Sequence, residues 1–217
     1  MTTEPSRYHR RVAEEKRTAI IEAATGLFLE KGYGGASLAR IAESAGVSKA
    51  TLFKRFPTKA ALFDAIVTEY WRPGGGERPE PDPGDLRAGL TGIGNGYADL
   101  LTRPGMVSLY RIVIAEAPRF PELGRAQFDL GKMPYFTSVR RYLEAARDTG
   151  TARFEDADTA ATQFLGMIAD YVLWPRMLLV DWSPSSGAVQ RAVAEAVATM
   201  EARYGVRDAG REDAARR

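Results

Sequence analysis

Apolar residues recur every three or four positions over most of this chain, which is the period of a helix with one buried face. Ile20, Ala24, Leu27 and Phe28 share such a face and predict a first helix over 14–31. Leu38, Ile41, Ala42 and Ala45 fall at i, i+3, i+4 and i+7 and predict a second over 38–45. Leu52 and Phe56 point inward from a third over 49–55, and a fourth follows over 58–71. The boundaries carry their own signals. Ser37, Ser48 and Thr58 each stand where a hydroxyl can accept from free N–H groups at a helix start. Gly46 stands where the second helix must turn, and Pro57 closes the third. Beyond residue 85 the pattern predicts helices over 85–102, 105–117, 121–148, 156–181 and 185–204. Pro134 and Pro175 lie inside two of these and predict a kink or break in each. No strand-like alternation appears, so the fold class is all-α.

Helices 38–45 and 49–55, joined by a tight turn at Gly46, have the layout of a helix-turn-helix, whose second helix enters the DNA major groove. With Leu52 and Phe56 inward, Lys49, Ala50, Thr51, Lys54 and Arg55 are left outward. A small helical hairpin with a solvated basic face is the competing interpretation.

Residues 14–71 resemble the DNA-binding domain of TetR-family transcriptional regulators. The family pattern is close to GYxxxSxxxIAxxAGVSxxTLYxxFxxKexLf, and nearly all of it stands between Gly32 and Phe63. The resemblance implies an N-terminal three-helix DNA-binding domain followed by a helical C-terminal domain for ligand binding and dimerisation. It also implies a homodimer on a palindromic double-stranded DNA operator, in most members a repressor until a small molecule binds. By resemblance Lys49, Ala50, Thr51, Lys54 and Arg55 occupy base- and phosphate-contacting positions, and Lys59 matches the family's phosphate-binding lysine. Ser37, Ser48, Phe53 and Thr58 complete the expected contact set. Phe53 departs from the tyrosine common there, so a hydroxyl bond to phosphate is lost while stacking or methyl contact is retained. Residues 109–128, LYRIVIAEAPRFPELGRAQF, resemble the C-terminal domain of the AefR-like subgroup. Arg111 and Glu116 there are expected to be structural ion-pair members.

Charge is distributed to match. Residues 1–72 carry 12 Lys and Arg against 8 Asp and Glu, and the rest carries 18 against 20. The basic part is thus the part with the helix-turn-helix, as phosphate neutralisation requires. The chain contains no cysteine, which excludes disulfides and thiolate metal sites. No apolar run reaches membrane-spanning length and TTEPSRYHRR is no signal peptide, so a cytoplasmic protein without a membrane partner is expected. Residues 1–13 are expected to form a mobile basic arm, and 14–72 the DNA-binding domain. PGGGERPEPDPG, residues 73–84, has four Gly and four Pro and is expected as a linker. Residues 85–205 are then the regulatory and dimerisation domain, and 206–217 a charged, disordered tail.

Residues 160–182 are apolar around most of the helix and must be covered on both sides. The family resemblance implies the domain core on one side and a partner subunit on the other; ordinary core of a single chain is the competing interpretation. The last helix offers Val189, Val193, Ala196, Val197, Met200 and Tyr204 to the same interface. Candidate effector contacts are Met106, Tyr110, Met133, Phe136, Phe164, Met167, Tyr171 and Trp174, because methionine and aromatic side chains suit an apolar ligand. Asp170 joins them as a carboxylate in an apolar segment, expected to pair with Arg176 or another arginine, or to face a cationic ligand.

Other chemistry finds little footing. GIGNGY at 92–97 has no preceding strand and is expected to serve close helix packing rather than phosphate binding. His9 is the single histidine, so a histidine-based triad or multi-histidine metal site is excluded. No catalytic residue, metal or cofactor is expected. Beside the ligand-responsive repressor stand two other hypotheses. One is a helical enzyme using Asp or Glu in a C-terminal pocket. The other is a DNA-binding regulator controlled by a protein partner or by no ligand.

Overall fold

Helix starts in this chain are set by short hydroxyl and carboxylate side chains. In the computed structural model, which describes residues 7–72 and 80–206, Ser37 accepts from Arg40 N, Ser48 from Thr51 N and Thr58 from Ala61 N. These caps open α2 (Leu38–Ser44), α3 (Lys49–Arg55) and α4 (Lys59–Trp71). Asp85, Asp156 and Ser185 cap α5 (Leu86–Thr102), α9 (Ala157–Val172) and α11 (Ser186–Tyr204) in the same way. The remaining helices are α1 (Arg7–Gly35), α6 (Met106–Glu116), α7 (Pro121–Arg125), α8 (Met133–Asp148) and α10 (Trp174–Leu178). Among the described residues there is no strand, only an isolated bridge between Ala152 and Gly205.

The prolines act where expected. Pro134 has no N–H to continue an α-helical ladder, and the chain before it, Ala126–Lys132, widens into a π-helix. Pro175 falls just after α9 ends, so the long helix expected over 156–181 is broken into α9 and the short α10. The first helix differs more. Arg7–Ala13 were expected in an arm, yet they form the opening turns of α1, with Arg11 Nε 3.4 Å from Glu15 one turn on. The remainder of that arm, most of the linker and all but Val206 of the tail lie outside the described residues.

The chain divides into two compact units. One is Met1–Arg72 with Ser108–Lys132, the other Pro73–Val107 with Met133–Arg217. Residues 108–132, within the block expected over 85–205, bury their side chains within the first unit. There Phe28, Tyr33 and Phe63 form a ring cluster, and Phe120 adds its edge to Tyr33 at 5.1 Å. Ile20, Ala24, Ile41, Leu52, Leu62 and Ile66 fill the space around them.

In the second unit, α5, α9 and α11 meet at Gly94. A Cβ there would lie 2.8 Å from Val193 Cγ1 and 3.2 Å from Ile168 and Phe164, so the GIGNGY glycine permits a close helix crossing. Val193, Ala196, Val197, Met200 and Tyr204 are buried in this core. That corrects their expected place on a dimer surface: the apolar stripe of α11 is spent on its own protomer. The outward face of α11 instead carries Ala194, Ala198 and Ala202 among Arg191, Glu195 and Thr199.

Candidate functional site

The short helix α3 is built to present one face. Its N-cap Ser48 also shares a 2.8 Å hydrogen bond with the Thr51 hydroxyl, which fixes the first turn. Gly46, at φ 64°, supplies the left-handed residue that turns the chain out of α2. Leu52 is fully buried and Phe56 nearly so, which anchors the helix. Ser48, Lys49, Ala50, Phe53 and Lys54 are exposed, and Thr51 and Arg55 half-buried. Ser37 and Thr58 are exposed at the neighbouring helix starts. The face contains no acidic residue, and Phe53, 47% exposed, has no role in the core.

Lys59 is placed differently from the rest of the contact set. Its ammonium donates to the carbonyl of Tyr33 at 2.6 Å and of Ala36 at 3.0 Å, with Gly34 at 3.5 Å. It sits 4.4 Å from the Tyr33 ring centroid. Burial lowers its pKa from the ordinary lysine value, opposed by Glu116 and Glu122. The charge therefore neutralises the carbonyl end of α1. The same corner receives the α6–α7 turn. Gly32, at φ 71°, leaves room for the Glu116 carboxylate, whose Oε1 would be 2.5 Å from an added Cβ. Phe120 packs beside Gly34 and over Tyr33. Residue patterning did not flag this contact; the prolines flanking Arg119 and Phe120 were its one trace.

The expected effector residues separate by burial. Met106 and Phe164 are sealed in the core, at 0% exposure. Tyr110, Met133, Phe136 and Met167 are half-buried, and Asp170, Tyr171 and Trp174 are exposed. Asp170 is therefore solvated and needs no buried counter-ion, contrary to expectation. Arg176 donates to the Leu101 carbonyl at 2.9 Å. The second unit also exposes Leu178, Leu179 and Val180, so the apolar segment around 160–182 is covered on one side within the chain. Two surface recesses, one of ≈ 390 Å³ beside Thr25 and Tyr70 and one of ≈ 770 Å³ beside Phe154 and Arg203, are lined by none of the expected effector residues. Sequence reasoning also passed over Trp71 and Gln127, two buried side chains of the first unit with unpartnered polar atoms.

A family model for AefR-like transcriptional repressor C-terminal domains matches residues 88–206, more than half of the chain. A model for bacterial regulatory proteins of the tetR family matches residues 20–66. The chain belongs to the TetR family of transcriptional regulators. Family membership makes it a DNA-binding regulator and not an enzyme. It is 42% identical to the HTH-type transcriptional regulator RutR of Escherichia coli over 59 residues, 27% of this chain and 28% of RutR. The match thus spans under a third of that relative's length. Likeness to solved structures reaches further. The Flavonoid-responsive Regulator FrrA is 28% identical with a TM-score of 0.71, over 89% of this chain and 98% of that one. A TetR family regulator from Pseudomonas syringae pv. tomato is 25% identical with a TM-score of 0.73 over the same shares. No described helix of this TetR-family protein is long and apolar enough to cross a membrane.

Proposed function

We propose that this protein is a cytoplasmic repressor that binds a palindromic operator as a homodimer and leaves it when a small, largely apolar effector binds. The observation that carries the proposal is the α3 face. Lys49, Lys54 and Arg55 supply cations for phosphate or guanine edges, while Ala50, Thr51 and Phe53 suit thymine methyl and sugar contacts. Ser37, Ser48 and Thr58 flank that face at helix starts, where anions are favoured. Lys59 acts here by holding the end of α1 in place for α2 and α3. Self-association is supported by exposed Tyr171, Trp174 and Leu178 and by the small outward residues of α11, which allow close helix approach. A small-molecule effector is supported by the likeness to a flavonoid-responsive regulator. Within the second unit, half-buried Met133, Phe136 and Met167 offer aromatic and thioether surface for one.

A second reading, control by a protein partner or by no ligand, is favoured by the complete burial of Met106 and Phe164. One experiment separates the two. Operators are selected from random DNA with the full chain, and release is followed by fluorescence anisotropy with a panel of flavonoids. Enrichment of an inverted repeat and release by a flavonoid support the repressor reading. Absence of any enriched repeat overturns operator binding, and an operator complex indifferent to the whole panel favours the second reading.

A further inference from the structure

Two polar side chains count as buried among the described residues, and they differ sharply. The Thr25 hydroxyl donates to the Ile21 carbonyl at 2.8 Å. Gln127 is 6% exposed, and neither its Oε1 nor its Nε2 has a hydrogen-bond partner. The indole Nε1 of Trp71, also 6% exposed, is a third buried atom without a partner. These atoms belong to one cluster within the first unit. Trp71 ends α4, and its ring lies 6.5 Å from that of Tyr110 on α6. The π-helix brings Gln127 and Gly131 to the buried side. Gly131 presses its backbone on the indole, where a Cβ would be 2.6 Å from Cδ1. The Gln127 amide adjoins the Tyr110 hydroxyl without reaching hydrogen-bond geometry.

Buried amides are nearly always satisfied, so an amide with all of its capacity unused is a standing cost to the free protein. π-helical turns concentrate at functional sites, and this one turns an amide inward while exposing the neighbouring Asp129 and Lys132. We propose that Gln127 and Trp71 are the polar recognition groups for the effector, an uncharged aromatic hydroxy-ketone of the polyphenol type. The amide offers one acceptor and one donor side by side, which matches a hydroxyl next to a carbonyl. The indole N–H takes a further acceptor oxygen, and the Tyr110 ring packs on the ligand's aromatic part. Burial raises the Tyr110 pKa, opposed by the adjoining Gln127 amide. The inference rests on the effector-controlled reading above, whose candidates included Tyr110 but neither Trp71 nor Gln127.

The test uses naringenin, which carries the hydroxy-ketone edge, and flavanone, which has the same rings without hydroxyls. Calorimetric titration of the full-length protein, Gln127→Leu and Trp71→Phe gives the affinity ratio of the two probes, a quantity insensitive to modest loss of fold. Gln127→Leu is expected to cut the ratio at least tenfold and to raise the melting temperature of the free protein by roughly 2–4 °C, because the orphaned amide is removed. Trp71→Phe is expected to cut the ratio as well. An unchanged ratio in both variants overturns the site, as does a wild type that binds neither probe. A lowered melting temperature in Gln127→Leu also overturns it, since the amide would then serve an internal bond or a buried water only. Operator release is measured separately. Release by naringenin that survives both variants overturns this site and leaves the effector reading intact. Binding at Gln127 without release supports the site and removes the effector reading.

Discussion

Replacing Lys59 by methionine distinguishes a lysine that holds the fold from one that holds DNA. The substitution keeps the aliphatic stem and deletes the charge. Three main-chain carbonyls at the α1 end then lose an ionised donor, the shortest bond being 2.6 Å, and the Tyr33 ring loses a cation 4.4 Å from its centroid. A hydrogen bond to a charged group contributes about 1.5–3 kcal/mol and an exposed cation–π contact about 0.5–1 kcal/mol. Lys59 is half-buried, so water replaces part of what is lost. The expected destabilisation of the first unit is roughly 2 kcal/mol. Trp71 reports on that unit, so urea unfolding is followed by its emission in a Trp174→Phe, Trp182→Phe background. Operator binding is then measured against salt. If Lys59 caps α1, affinity falls for all sequences and the slope of log K against log salt stays put. A phosphate contact would leave stability intact and flatten the slope by about 1. That second pattern would refute the capping argument.

Further predictions follow from other parts of the structure. Lys54 is exposed on α3 and has no structural duty, so Lys54→Ala should flatten the salt slope by about 1 without changing the urea midpoint. On α11 the two faces should part company. Ala198→Trp should give folded monomers in sedimentation, whereas Val197→Glu, which puts a carboxylate at a 2% exposed position, should unfold the second unit by circular dichroism. Tyr33 and Tyr142 have pKa values pushed up to about 12, chiefly by burial. A raised folded pKa gives stability that is fully present below pH 10 and lost as pH rises towards about 12. Absorbance titration at 295 nm should place Tyr33 and Tyr142 among the late-ionising phenols, and Tyr142→Phe should remove one of these.

Local signals explain why so much of the helix order was legible. A hydroxyl at Ser37, Ser48 or Thr58 acts on an N–H three residues away, so its consequence is written next to it. Pro134 and Pro175 act just as locally, by withholding a donor. The contacts that escaped are those whose partners are far apart in sequence. Glu116 reads as an ordinary surface acid until it is seen beside Gly32, 84 positions away. Gln127 reads as a helix-surface glutamine because it is polar, and the α4 and α6 side chains that cover it, Trp71 and Tyr110, are distant in sequence. The α11 stripe failed for another reason. Periodicity shows that Val193 and Val197 are covered, but it cannot say whether the cover comes from the same chain.

The site residues follow the same division. The α3 face depends on one short amphipathic helix, and the residues expected outward were indeed exposed or half-exposed. Lys59 belongs to the same sequence pattern, yet its ammonium is committed to Tyr33, Gly34 and Ala36, which precede it by more than twenty positions. A motif fixes where a side chain begins; the free carbonyls within reach decide where a long one ends. For lysine, four flexible bonds make the second condition decisive, and an α-helix terminus with unsatisfied carbonyls is a strong local attractor. The corner that Lys59 holds also receives Glu116 and Phe120 from the α6–α7 turn. Any displacement of that turn would therefore act directly on the end of α1 that precedes α2 and α3, without passing through residues 73–84. The cations of Lys49 and Lys54 on α3 are thus open to solvent, while that of Lys59 is committed to the end of α1.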